Sequence, residues 1–191
     1  MPFPLERAGD AGPQATGSAG IEITPGLVHV RTTAYKRPEA LARCLRSLIA
    51  QRHGAWVCDV FDDDPEAGGR AVVEALGDPR IIYTHNRPQK LASANIDACF
   101  SRENPHGAEF FCVLEDDNYL LPGFFEANIA DMARAGVEIL LRNQKVEFDS
   151  GRETARVSEG GLLDERLNER CYDPAHLRLA VLADVGVSNG G

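Results

Sequence analysis

The chain has 191 residues, 43% of them hydrophobic, and a formal net charge of −9. That is enough for one domain with a real core. The acidic balance argues against a nucleic-acid surface, which needs a basic stripe. No apolar run approaches the roughly 18 residues of a membrane span, and the N-terminus lacks the basic-then-apolar order of a signal peptide.

Residues 1–26 are read as a disordered tail, because their start is rich in Ala, Gly and Pro with little to bury. Val28 to Thr32 predicts a first strand. Pro38 then opens a helix whose apolar stripe is Leu41, Cys44, Leu45, Leu48 and Ile49. Trp56 to Phe61 reads as a second strand, Gly69 to Leu76 as a short helix, and Arg80 to Thr84 as a third strand. A helix from Gln89 to Phe100 turns Leu91, Ala94, Ala98 and Cys99 to one face, with Asn95 among them. Glu109 to Leu114 is a fourth strand, Phe124 to Ala135 a helix and Val137 to Leu141 a fifth strand. Val146 to Val157 reads as a hairpin and Pro174 to Ala183 as a helix. The alternation indicates an α/β fold with a mostly parallel central sheet and right-handed crossovers.

The five cysteines (Cys44, Cys58, Cys99, Cys112 and Cys171) form no C-x-x-C pair, which excludes a zinc ribbon. Four of them fall on predicted core faces and read as small buried hydrophobes of a reducing compartment, hence a cytoplasmic protein, with a peripheral place at the inner face of the membrane left open. The histidines His29, His53, His85, His106 and His176 have no ligand spacing such as H-E-x-x-H and read as surface or hydrogen-bonded.

Two strand ends carry the chemistry. The second strand ends in Asp62-Asp63-Asp64, the fourth in Glu115-Asp116-Asp117. Ligands of open α/β sheets bind beyond the carboxyl ends of the strands, so both clusters belong to one edge. Carboxylates this close repel one another, and a hard divalent cation removes the cost. His85-Asn86-Arg87-Pro88-Gln89-Lys90 brings two cations to the start of a helix, a site for phosphate. Thr33, Tyr35, Lys36 and Arg37 add a hydroxyl, an aromatic face and two more cations.

On these residues the chain resembles the inverting glycosyltransferase family two, nucleotide-diphospho-sugar transferases of the GT-A (Rossmann-like) fold. The resemblance rests on Val28 to Pro38, on Phe61-Asp62-Asp63-Asp64, and on Leu114-Glu115-Asp116-Asp117-Asn118 with Pro122-Gly123, and covers about Leu27 to Leu141. It implies a hexosyltransferase-like enzyme that uses Mn²⁺ or Mg²⁺ and a nucleotide-sugar donor, with UDP-sugars favoured. It further implies an unassigned acceptor (saccharide, lipid or small molecule). Asp117 matches the metal-binding residue of the D-x-D motif, Asp116 the residue that contacts ribose or supports the metal, and Glu115 the motif's first position. Asp63 matches the acceptor of a uracil N–H, with Asp62 its neighbour. Arg87, Lys90 and Asn95 lie where the family contacts base and diphosphate, and Thr33 and Tyr35 on its opening turn. The family's general base stands well downstream. Asp173 and Asp184 are the last carboxylates, so residues 27–191 are read as a GT-A domain cut short on its acceptor side.

A catalytically impaired nucleotide-sugar-binding domain stays open as an alternative. So does a metal-dependent nucleotidyltransferase, although Thr33-Ala34-Tyr35-Lys36-Arg37 lacks the glycines of its phosphate loop. The missing G-x-x-x-x-G-K-[ST] and G-x-G-x-x-G exclude P-loop and dinucleotide enzymes.

Overall fold

The computed structural model describes residues 22–164, 171–173 and 175. The first 21 residues of the expected tail, Asp184, and all of the expected last helix but Ala175 lie outside that range. Four strands, β1 (Thr24–Ala34), β2 (Trp56–Asp62), β3 (Ile81–His85) and β4 (Ala108–Val113), form one parallel sheet in the order β3-β2-β1-β4. The helices between and after them are α1 (Pro38–Ile49), α2 (Gly68–Leu76), α3 (Leu91–Cys99) and α4 (Phe124–Ala135). A short antiparallel pair follows, β5 (Glu147–Phe148) and β6 (Arg156–Val157), inside the expected hairpin. No helix among the described residues is long and apolar enough to cross a membrane.

Strand order decides where the helices go. From β1 the chain steps outward to β2 and β3, then returns across the sheet to β4. Right-handed crossovers in opposite directions put α1 and α2 on one face and α3 on the other. The reversal makes the carboxyl ends of β1 and β4 a topological switch point, where such sheets open a crevice.

Alternation along the strands follows the same division. Val28, Val30 and Ala34 of β1 and Cys58 and Val60 of β2 join Leu41, Cys44, Leu45 and Leu48 of α1 in one apolar core. The opposite face of β1 and β2 is polar at its centre. There His29, Arg31 and Asp59 are all buried.

Gly69 shows how tightly α2 sits on the core. An added Cβ would lie 2.8 Å from Asp62 Oδ2 and 3.1 Å from Leu41 Cδ2. Gly69→Ala is therefore expected to destabilise the fold by about 1–3 kcal/mol, measured by urea unfolding, because both neighbours are buried and packed.

Three expectations need correction. β1 begins at Thr24, inside the expected tail, where the Thr24 N–H donates to the Gly107 carbonyl and the Gly26 N–H to Glu109. Val137 to Leu141 is not a strand. The Val137 N–H donates to the Met132 carbonyl to close α4, and Ile139 beyond it is 78% exposed. Leu91 is not on the buried face of α3. It stands at the helix start with φ +67, its side chain exposed, and only Asn95 and Cys99 are fully buried.

Candidate functional site

The parallel register sets the ends of β2 and β4 on either side of the end of β1. Neighbouring strands are about 4.8 Å apart, so the two acidic clusters stand about 10 Å apart along one edge.

The cluster after β2 is committed largely to the fold. Successive strand residues point to opposite faces. Asp62 turns to the α2 side, where its Oδ2 accepts from the Gly69 N–H at 2.9 Å and the Tyr83 hydroxyl at 2.8 Å, and its Oδ1 from the Asp64 N–H. Asp64 accepts the Glu66 and Gly68 amides and shapes the turn into α2. Asp63 turns to the α3 side. Its Oδ1 accepts from the Lys90 N–H at 2.7 Å and from Asn86 Nδ2 at 3.1 Å, and its Oδ2 from the Leu91 N–H at 2.8 Å. Burial pushes the Asp63 carboxyl up. The Lys90, Asn86, Leu91 and Gln89 donors together outweigh it and hold the group below the usual carboxylate value.

This changes the reading of the start of α3. The amides of Lys90 and Leu91, which a phosphate would have used, already bind Asp63. Asn95 is buried and braces the same corner, accepting from Asn86 Nδ2 and donating to the Phe61 carbonyl. Arg87 and Lys90 keep exposed side chains at the rim. Arg87 Nε donates to His85 Nδ1, and Lys90 Nζ lies 5.6 Å from the Phe61 ring centroid. Thr33 is half-buried beside them on β1.

The cluster after β4 is different, since a single part-exposed cation is its chief partner and one buried oxygen is left over. Asp116 is 1% exposed; its Oδ2 accepts from the Tyr35 N–H at 3.2 Å. Arg37 reaches over from the end of β1, placing Nη2 2.7 Å from Asp116 Oδ1 and Nη1 2.5 Å from Asp117 Oδ2. The Asp116 contact is an ion pair without a directed hydrogen bond. Asp116 Oδ1 and Asp117 Oδ1 are both buried and lack a hydrogen-bond partner. Tyr35 itself is exposed, with Lys36 Nζ over its ring.

Burial, opposed by the Tyr35 N–H and Arg37, holds the Asp116 carboxyl above the usual value. Glu115 is pushed up to about 7, by burial first and then by the charges of Asp117 and Asp116. The folded chain therefore keeps a proton on Glu115 that the unfolded chain has already lost, and stability falls as pH rises from about 4.5 to about 7. Glu115→Gln removes that loss. The variant should gain on the wild type in metal-free urea unfolding at about pH 8 and match it at about pH 4, below both values.

An all-oxygen donor set at one strand end, with mutual repulsion among its carboxylates and one buried oxygen, Asp117 Oδ1, left without a partner, suits a hard divalent cation such as Mg²⁺ or Mn²⁺. A model of glycosyl transferase family 2 matches residues 30–181, most of the chain. The chain belongs to glycosyl transferase family 2. Its parallel sheet, with helices on both faces, is the GT-A arrangement that the sequence resemblance implied. Three solved structures align with this family-2 chain: S. aureus TarS 1-349, S. aureus TarS, and S. aureus TarS 1-349 in complex with UDP-GlcNAc. Each is 15% identical over 58% of the chain, with a TM-score of 0.48. The chain spans 33%, 20% and 32% of their respective lengths. Among curated proteins none matches the chain.

Two features of this family-2 site escaped the sequence reading. Arg37 was grouped with cations facing a nucleotide, whereas it pairs with Asp116 and Asp117. Asp62 and Asp64 were placed in a ligand cluster, whereas they hold the start of α2. The Gly68-Gly69 pair immediately downstream was the available signal, because glycine amides at a helix start attract a carboxylate.

Proposed function

We propose that this family-2 chain binds a nucleoside-diphosphate sugar, a UDP-sugar in preference, at the shared edge of β1, β2 and β4. It transfers the sugar to an acceptor hydroxyl with inversion. The observation that carries this reading is Asp117 Oδ1, a buried acceptor without a hydrogen-bond partner, beside the buried Asp116 carboxylate at the switch point of a family-2 sheet.

Asp117 and Asp116, with Glu115 beside them, would hold Mn²⁺ or Mg²⁺. When bound, the ion supplies positive charge against the leaving diphosphate. Arg37, its side chain 48% exposed, is free to leave the carboxylates and turn to the same diphosphate. Arg87 and Lys90 add positive potential at the rim. Tyr35 offers a face for the nucleobase and Thr33 a hydroxyl. Asp63 serves the nucleobase N–H only by sharing a carboxylate already occupied by Lys90, Leu91 and Asn86. Inversion requires the acceptor to attack the anomeric carbon opposite the diphosphate in one displacement, with its proton passing to a base. Asp173 is exposed, and its Oδ1 accepts the Ala175 N–H. Free cysteine thiols suit action in the cytoplasm.

Calorimetric titration with nucleoside diphosphates, with and without Mn²⁺, tests the reading. UDP is expected to bind in Mn²⁺ and to bind much more weakly without it. If no nucleoside diphosphate binds in either condition, the proposal fails. Binding without transfer or donor hydrolysis would leave a nucleotide-sugar-binding domain instead.

A further inference from the structure

We propose that His29, Asp59 and His106 form a second metal centre that takes a borderline cation such as Zn²⁺ through two imidazoles and a carboxylate. The three donor groups lie within 4.8 Å of one another. His29 Nε2 is 2.8 Å from Asp59 Oδ2, and His106 Nε2 is 3.1 Å from the same oxygen. Tetrahedral Zn²⁺ with bonds of about 2.0–2.2 Å sets its ligand atoms roughly 3.3–3.5 Å apart. Small side-chain shifts would open the cluster to that spacing.

The surroundings support a ligand set. Asp59 lies at the centre of the sheet, on β2, yet the cation opposite it turns away. Arg31, its register partner on β1, spends its guanidinium on the carbonyls of Cys99, Ser101 and Glu103 and lies 4.9 Å from the Phe111 ring centroid. Among the described residues the two imidazoles are the side chains that hydrogen-bond the Asp59 carboxylate, and both present Nε2 to it. His29 is 1% exposed, whereas the His106 side chain is 23% exposed, so a cation can arrive from one side and keep a water there. His29 Nδ1 is buried without a partner, with or without an ion, so it does not choose between the two states.

This cluster differs from the acidic edge in place and chemistry. Asp59 is three residues before Asp62, about 10 Å down the strand, and turns to the opposite face. Imidazoles with a carboxylate suit Zn²⁺ or Co²⁺, whereas the all-oxygen edge suits Mg²⁺ or Mn²⁺. A bound ion would tie β1 and β2 to the segment 100–107, which leads into β4 and hence to Glu115, Asp116 and Asp117. Arg31 already fastens the first half of that segment.

The test uses the full chain, stripped with a chelator and titrated with Co²⁺ and then Zn²⁺. One equivalent of Co²⁺ should give the d–d absorption of a low-coordinate nitrogen–oxygen site, Zn²⁺ should displace it, and Zn²⁺ should raise the unfolding temperature. His106→Gln and Asp59→Asn should lose all three effects, and Asp117→Asn should keep them. In the wild type, Zn²⁺ should protect His106 from diethylpyrocarbonate, a readout independent of how the variants fold. Absence of stoichiometric binding, survival of binding in folded His106→Gln, its loss in Asp117→Asn, or protection of His53 or His85 in place of His106 would each overturn the proposal.

Discussion

Replacing Asp63 by alanine is expected to lower folding stability by about 3–5 kcal/mol, roughly a fifth or more of what a domain of this kind has in reserve. The carboxylate is 3% exposed and accepts from two backbone amides and the Asn86 amide. Alanine would leave the Lys90 and Leu91 amides without their acceptor, at roughly 1–3 kcal/mol each, partly relieved where water can follow, while Asn86 Nδ2 keeps only Asn95 as a partner. Leu91 adds to the cost. A non-glycine residue at φ +67 persists only where its surroundings hold it, and the bond from its N–H to Asp63 is the hold. Asp63→Asn keeps one oxygen but turns an amide donor toward other donors, so it should recover less than half of the loss. Urea unfolding of both variants decides the matter. If Asp63→Ala matches the wild type in stability and loses only nucleotide affinity, Asp63 is a recognition residue and not the anchor of α3.

What could be read from the chain divides along one line. Contacts between near neighbours in sequence were legible. The stripe Leu41, Cys44, Leu45 and Leu48 marked both the span and the buried face of α1, and α4 runs over the expected Phe124–Ala135. Apolar content without position was misleading. Leu91 looked like a core residue because a helix was read through it from Gln89, but α3 starts at Leu91 and leaves it outside. Ile139 and Leu141 looked like strand residues, but a strand needs a sheet edge, and the described edge of β4 does not receive them. The site divides in the same way. Acidic residues at strand ends located the edge, because strand direction and switch points are general. Whether each carboxylate faces a ligand or a helix amide depends on partners 20 to 30 residues away, as with Asp62 and Tyr83 or Asp63 and Lys90. The His29–Asp59–His106 cluster is more distant still. Its one sequence trace is an acidic residue at the centre of the apolar strand Trp56–Asp62.

Asp117→Ala is expected to remove Mn²⁺-dependent UDP binding, a loss of roughly a hundredfold or more, while leaving stability equal to the wild type or higher. The contrast with Asp63 follows from their partners. Asp117 has one ion pair, to Arg37, with both side chains part-exposed, and such pairs contribute at most about 1 kcal/mol. Its charge also raises the cost of ionising Glu115 and Asp116, so its removal relieves repulsion as well. Arg37 keeps Asp116 as a partner. Among the described residues no core side chain bonds the Asp117 carboxylate, and its Oδ1 is a buried acceptor without a partner. A ligand oxygen for a divalent ion is the use that fits, and loss of one ligand charge costs several kcal/mol of the electrostatic hold on a diphosphate. Calorimetry with UDP in Mn²⁺ and urea unfolding, run on the same preparation, give the two readings. A variant that binds UDP as the wild type does in Mn²⁺ would strip Asp117 of the metal role, and the resemblance at Glu115-Asp116-Asp117 would then carry no chemistry.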